Sequence, residues 1–242
     1  MKVCIISACT EDYYYRLYIL YLGLRKYHKN IFFHAHLINM KEEANKTELE
    51  KIEDKYLEIS YSTIELTDKD ENKNKEVIKN YASNIRAKLF NNLINKYDKV
   101  FWFDADTIIR NDISKLFSFL DTKLIVAYKN NFPKEKILTR GEFKTGIIGF
   151  RRCDIIKKIL KEWNYITFKN GKDKCFWFQD QIFITKLIFK YYNYLNFHIL
   201  PKKYIDWDFD INSPIWVGKG QKKNNETYLL EENKIYQSIL LN

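Results

Sequence analysis

The stretch that most constrains this chain is residues 100–110, VFWFDADTIIR. Val100, Phe101, Trp102 and Phe103 form an uninterrupted apolar and aromatic run, the pattern of a strand buried on both faces. The run stops at Asp104, and Asp106 follows with only the small Ala105 between them. In extended backbone, residues two apart point the same way, so both carboxylates can face one point beyond the strand end. Ligand crevices of open α/β sheets lie at such strand ends. Convergent carboxylates repel unless a cation sits between them. Hard oxygen ligands favour Mg²⁺ or Mn²⁺, which share their shell with substrate phosphates. The plain alternative is one Asp capping the next turn and the other in water. The strand before the pair, with Ile108-Ile109 and Asp112-Ile113 after it, favours a metal site.

The flanking pattern alternates. Residues 2–7 read as a strand, 8–12 as a loop, and a helix follows from Tyr13 with Leu17, Leu20, Tyr21 and Leu24 on one face. A second strand is expected over 31–38, a charged surface helix over 41–58, a third strand over 58–66 and a polar loop over 67–75. A strong helix over 81–97, with Ile85, Leu89, Leu93 and Tyr97 as its stripe, feeds the aspartate strand. Strands are also expected over 123–128 and 142–150, with a last short one ending at 198–201. Helices are expected over 113–120 (capped by Asp112), over 154–168 and from Asp180. Such alternation predicts an α/β fold: a mostly parallel central sheet with helices on both faces. No repeat or linker interrupts it. Residues 1–242 are therefore taken as one domain, in segments 1–110 and 111–223 with a C-terminal extension over 224–242.

Composition narrows the class. The 242 residues are 46% hydrophobic and 17% aromatic, enough for a sizeable core, and seven Gly with three Pro argue against a many-turned β sandwich. A net charge of +10 suits anionic substrates, nucleic acid or acidic lipid heads, and by itself decides nothing. The aromatic residues follow core periodicity and no nucleic-acid-binding motif is present, so no nucleic-acid partner is expected. Cys4, Cys9, Cys153 and Cys175 lack C-x-x-C spacing and read as free thiols of a reducing cytosol. The apolar run in MKVCIISACTED is too short for a signal peptide or a span. A soluble, cytoplasmic protein is expected, its charge leaving room for peripheral contact with an anionic membrane. His34 and His36 share a strand face and read as ordinary strand residues rather than ligands. At least one of Tyr13, Tyr14 and Tyr15 should be core. Asp206, Asp208 and Asp210 lack the Gly and Glu of a calcium loop and read as a structural or acceptor-facing loop.

The order of motifs is IRAKLFNNLINKYDKVFWFDADTIIRNDISKLF, FKTGIIGFRR, FQDQ, LPKKY and GKGQKK. It resembles the GT-A glycosyltransferases, especially the glycogenin-like and lipooligosaccharide galactosyltransferase-like group, from Met1 to about Lys223. The resemblance implies a GT-A (Rossmann-like) fold and a DxD motif, Asp104-Ala105-Asp106, holding Mn²⁺ or Mg²⁺ against a nucleoside-diphosphate sugar. It places Asp12 and Tyr13, with Ala8 to Thr10, at the base and ribose. Arg86 falls at the diphosphate or donor sugar, and Thr145 and Gly146 beside the donor sugar. Asp180 and Gln181 face the reacting sugar, and Gly218, Lys219, Gly220 and Lys222 form a loop closing over the phosphates. Two positions depart from the group: Lys144 stands where Asn is common, and Trp216-Val217 occupy the neighbourhood of an expected third metal ligand, a His. Either water, Asp206 or Asp208 then completes the shell, or metal binding is weak.

The residues' own chemistry points the same way. Breaking a sugar–phosphate bond leaves a diphosphate that needs a cation and basic side chains, which a metal, Arg86 and the Lys219/Lys222 loop supply. Taken alone, Arg86 is as well read as a surface helix charge, the Gly-Lys segment as a solvated turn and Asp180 as a helix cap. The expected activity is metal-dependent transfer of a hexose from a nucleoside-diphosphate sugar, a UDP-sugar for preference, to a glycan, lipid-linked or protein acceptor. The rivals are a nucleotidyl- or phosphotransferase using the same carboxylates and, more remotely, a basic nucleic-acid-binding module whose aspartates are structural.

Overall fold

A computed structural model describes residues 1–40, 48–65, 70–130 and 140–240, with residues 239 and 240 described by backbone alone. Nine strands are assigned among the described residues: β1 (Val3–Cys9), β2 (Phe32–Ile38), β3 (Leu57–Ser62), β4 (Lys99–Phe103), β5 (Thr107–Ile109), β6 (Ile125–Lys129), β7 (Phe143–Arg151), β8 (Phe197–Ile199) and β9 (Ile215–Val217). Seven of them build one sheet in the order β3-β2-β1-β4-β7-β6-β8, and β5 pairs with β9 in a separate ribbon. The sheet is mostly parallel; β7 alone runs against its neighbours.

Alternation along the central strands explains why they read as unbroken apolar runs. In β1, Ile5 faces one core and Cys4 and Ile6 the other; in β4, Phe101 and Phe103 face the first and Val100 and Trp102 the second. The first core is covered by α1 (Tyr14–Tyr27), α4 (Ser114–Thr122) and α7 (Glu226–Leu240). The second is covered by α2 (Glu71–Asn84), α3 (Arg86–Leu93), α5 (Asp154–Phe168) and α6 (Gln179–Lys190). The result is a mostly parallel central sheet with helices on both faces.

Several expected boundaries shift. Of the helix expected over 41–58, residues 41–47 lie outside the described residues; beyond them only a short 3-10 turn, Glu48–Lys51, precedes β3. Of the polar loop expected over 67–75, residues 67–69 lie outside the described residues and 71–75 belong to α2, whose first turn is capped by Asp70 accepting from the Asn72 N–H at 2.9 Å. The expected helix over 81–97 is broken at Ile85 into α2 and α3. The segment 130–141 reads in the sequence as a polar loop, and its residues 131–139 lie outside the described residues. The chain also has a strand after residue 201, β9, and a helix in its last stretch, α7, neither of which was expected.

From β1 the chain goes outward through β2 and β3, then returns to the other side of β1 as β4. That reversal is the topological switch point at which open α/β sheets hold ligands. Ile6 pairs with Trp102 there, so Ala8 stands level with Asp104.

Candidate active site

Arg86, the first residue of α3, is the hub of the site. It is buried (6% exposed), not the surface charge its helix position alone would suggest. Its guanidinium lies over the Trp102 ring at 4.8 Å. Nη1 donates to the Thr145 carbonyl at 2.6 Å and Nε to the Ser83 carbonyl at 2.9 Å. Nε is also 3.2 Å from Asp180 Oδ2, and Nη2 is 3.4 Å from Asp104 Oδ1. One side chain thus ties the end of β4, the start of β7 and the first turn of α6 to the break between α2 and α3.

Asp104 is fixed on three sides. Its N–H donates to the Gly146 carbonyl at 2.8 Å, and Trp102, two residues back on the same face, donates Nε1–H to Oδ1 at 2.7 Å. A Cβ at Gly146 would lie 2.9 Å from Asp104 Oδ2. Only glycine lets the carboxylate settle against β7.

Beyond Asp104 the backbone turns instead of staying extended, with Ala105 buried against the first core. Asp106 is held by its carbonyl, which accepts from the Gly218 N–H and the Tyr228 hydroxyl, both at 2.7 Å. A Cβ at Gly218 would lie 2.6 Å from the Lys223 Cβ. Burial, then the Asp104 charge, push the Asp106 carboxyl well above the usual range, while Lys223 and Arg16 oppose the rise. Lys223 itself donates Nζ to the Tyr13 hydroxyl and lies over the Tyr13 ring at 4.3 Å. Arg16 pairs with Glu232 of α7 at 3.3 Å.

Asp180 is not a helix cap: the N-cap of α6 is Phe178, in the left-handed region at φ 67°, and Asp180 lies inside the first turn. It is 1% exposed and accepts from the Thr145 hydroxyl at 2.7 Å. Burial raises its carboxyl, and Arg86 and Thr145 hold the rise in check. Gln181 beside it is half-buried. Phe176 and Trp177, which precede this turn, are exposed.

The structure therefore gathers two adjoining groups. Arg86, Asp104, Thr145, Gly146 and Asp180 form one; Asp106, Tyr13 and Gly218 form the other, with Arg16, Lys223 and Tyr228. These last three carried no sequence signal, because Lys223 is indistinguishable from Lys222 beside it and the others look like ordinary helix residues. Asp12 is exposed in a 3-10 turn and Thr10 precedes that turn. Gly220 adopts φ 59° with open space around it. Lys222 is turned away to Asp208 at 2.6 Å, and Lys219 lies over Trp207 at 4.7 Å.

Neither acid offered as a third ligand joins the pair. Both Asp206 oxygens accept backbone N–H groups, of Asp208 and Asp210, at 2.8 Å, and Asp208 holds Lys202 and Lys222. Among the described residues no three His, Cys, Asp or Glu converge as metal ligands would. His34 and His36 bond to Ser60 and Ser62 across the β2–β3 pair, as ordinary strand residues do. Trp216 and Val217 are buried in β9. Tyr13 and Tyr14 only pack against the core's margin and Tyr15 is exposed, so none of the three is buried core.

Solved structures share this architecture. Galactosyltransferase LgtC in complex with donor and acceptor sugar analogs superposes with a TM-score of 0.59 at 15% identity over 96% of this chain and 95% of its own. The glycosyltransferase GlyE of Streptococcus pneumoniae TIGR4 gives 0.58 at 13% identity, covering 98% of this chain and 64% of that one. The WbbM bifunctional glycosyltransferase gives 0.53 at 17%, covering 96% and 44%. This chain thus spans less than two thirds of the GlyE and WbbM chains. The fold is that of the GT-A glycosyltransferases. A search of curated proteins gives no sequence match. The glycosyl transferase family 8 profile matches residues 4–187, and the chain belongs to that family.

Proposed function

We propose that this enzyme transfers a hexose from a nucleoside-diphosphate sugar, a UDP-sugar for preference, to a carbohydrate, lipid-linked or protein acceptor, with Mn²⁺ or Mg²⁺ as cofactor. The observation that carries the reading is the Arg86 hub, which holds Asp104, Thr145 and Asp180 at the switch point of the sheet.

Asp104 and Asp106 would hold the cation, with water and donor phosphates completing its shell; the raised Asp106 carboxyl is what a carboxylate awaiting such a cation would show. A bound divalent ion would neutralise the pair and the leaving diphosphate. Ala8, Thr10, Asp12 and Tyr13 line the base and ribose side. Lys223, beside Tyr13, would offer a cation to the phosphates, and the loop of Gly218 and Gly220 would close over them. Arg86 keeps Asp104 and Asp180 in place. Asp180 steadies positive charge at the anomeric carbon from beneath, and Gln181, half-buried on the same turn, faces the reacting sugar.

All four cysteines are free, which suits a reducing cytosol, and no described helix is long and apolar enough to cross a membrane. A thermal-shift screen of nucleotide sugars with and without Mn²⁺ tests the reading. A bound donor raises the melting temperature by mass action, so the hit names base and sugar together. No shift with any nucleotide sugar would refute it.

A further inference from the structure

Lys144 precedes Thr145 in β7, yet its side chain leaves the Arg86 hub for a different cluster. Its Nζ lies 3.6 Å from the centre of the Trp207 ring and 5.4 Å from that of Tyr128, whose ring meets Trp207 edge-on at 5.6 Å. Lys219 brings its Nζ to 4.7 Å from the same Trp207 ring. Two ammonium groups thus converge on one indole, where the ring quadrupole favours them but does not cancel their repulsion. Among the described residues neither lysine has an ion-pair partner. Asp208, the acid next to Trp207, is occupied by Lys202 and Lys222. Burial first, and then the Lys219 charge, pull the Lys144 amine down to about 7. The cations acting on Asp106 are instead Lys223 and Arg16.

We infer that Lys144 and Lys219, seated on Trp207, form a subsite for an anionic group, a carboxylate or a phosphate, carried by the acceptor. The inference rests on the glycosyl-transfer reading and names its acceptor class. An anion between the two ammonium groups would relieve their repulsion and accept charge-assisted hydrogen bonds from both. Thr145 and Gly146 turn to Asp180 and Asp104, on the donor side, whereas Lys144 faces the loop that carries Trp207.

The test is ligand-observed NMR titration of the full chain with glucose, glucuronate and glucose 6-phosphate, with uridine diphosphate and Mn²⁺ present in excess to fill the diphosphate seat. Wild type should bind at least one acidic sugar about ten-fold more tightly than glucose, and Lys144→Asn should abolish that preference. Preference for glucuronate points to a uronic-acid acceptor, and preference for glucose 6-phosphate to a phosphorylated one. Lys219 is exposed, so Lys219→Gln serves as the second variant if Lys144→Asn fails to fold. Equal binding of acidic and neutral sugars by wild type overturns the inference, as does a preference that survives the substitution. Loss of uridine diphosphate affinity in Lys144→Asn would assign the pair to the diphosphate and overturn it too. If wild type binds no nucleoside diphosphate, the donor reading is what fails; the sugar preference, measured without nucleotide, still decides the lysine pair.

Discussion

Arg86 Nε lies 3.2 Å from Asp180 Oδ2, and this buried ion pair joins the first turns of two helices that are far apart in sequence. The same guanidinium serves the Thr145 carbonyl and Asp104. Removing one partner of a buried pair leaves the other charge uncompensated, which costs about 3–5 kcal/mol. Arg86→Ala should therefore lose stability of that order in urea unfolding, besides weakening nucleoside-diphosphate binding. Unchanged stability would mean that Arg86 does not bind the site together.

Asp180→Asn separates position from charge. The amide keeps the shape and can still meet the Thr145 hydroxyl, but it no longer compensates Arg86 or steadies positive charge. Turnover should fall by about 10²-fold or more, measured well below a melting temperature that also drops. Near-normal turnover would leave Asp180 a structural partner of Arg86 alone.

Asp106→Asn should behave in the opposite way in stability. Burial and Asp104 already disfavour the Asp106 carboxylate, so a neutral isostere removes a repulsion. Melting temperature should hold or rise while cation-dependent donor binding is lost. A destabilised variant would show that the charge is compensated in the folded protein.

The pH dependence of stability should carry a histidine signature. Burial, then the nearby His34 and Lys88, pull the His36 imidazole down to about 4. Between pH 6.5 and 4 the unfolded chain takes up a proton at His36 that the folded chain does not, so stability falls as pH falls through that window. The loss amounts to at most about 3 kcal/mol. NMR titration of His36 checks it, and an imidazole protonating near pH 6.5 in the folded state would contradict it.

What was legible in the sequence was local. The buried strand ending in Asp-Ala-Asp, the helix that delivers Arg86 and the Thr145-Gly146 segment each rest on contiguous pattern, and the structure gathers them at the switch point. The break at Ile85 was hidden because the apolar stripe runs in phase through α2 and α3, so periodicity could not reveal it. The three residues of β9 are too few to show alternation, and α7 has a core side only because α1 packs there, through Arg16–Glu232 and the tilted Tyr15–Tyr236 ring pair. Lys222 and Lys223 are chemically identical neighbours; only the fold decides that one meets Asp208 and the other Tyr13.

Product analysis tests the central claim most directly: the purified chain is incubated with the nucleotide sugar found by thermal shift, in Mn²⁺ and in excess chelator, and the released phosphate species is identified. The account predicts free nucleoside diphosphate in Mn²⁺, little in chelator and little from Asp106→Asn. Pyrophosphate or a nucleoside monophosphate as the product, or an undiminished rate in chelator, would contradict it.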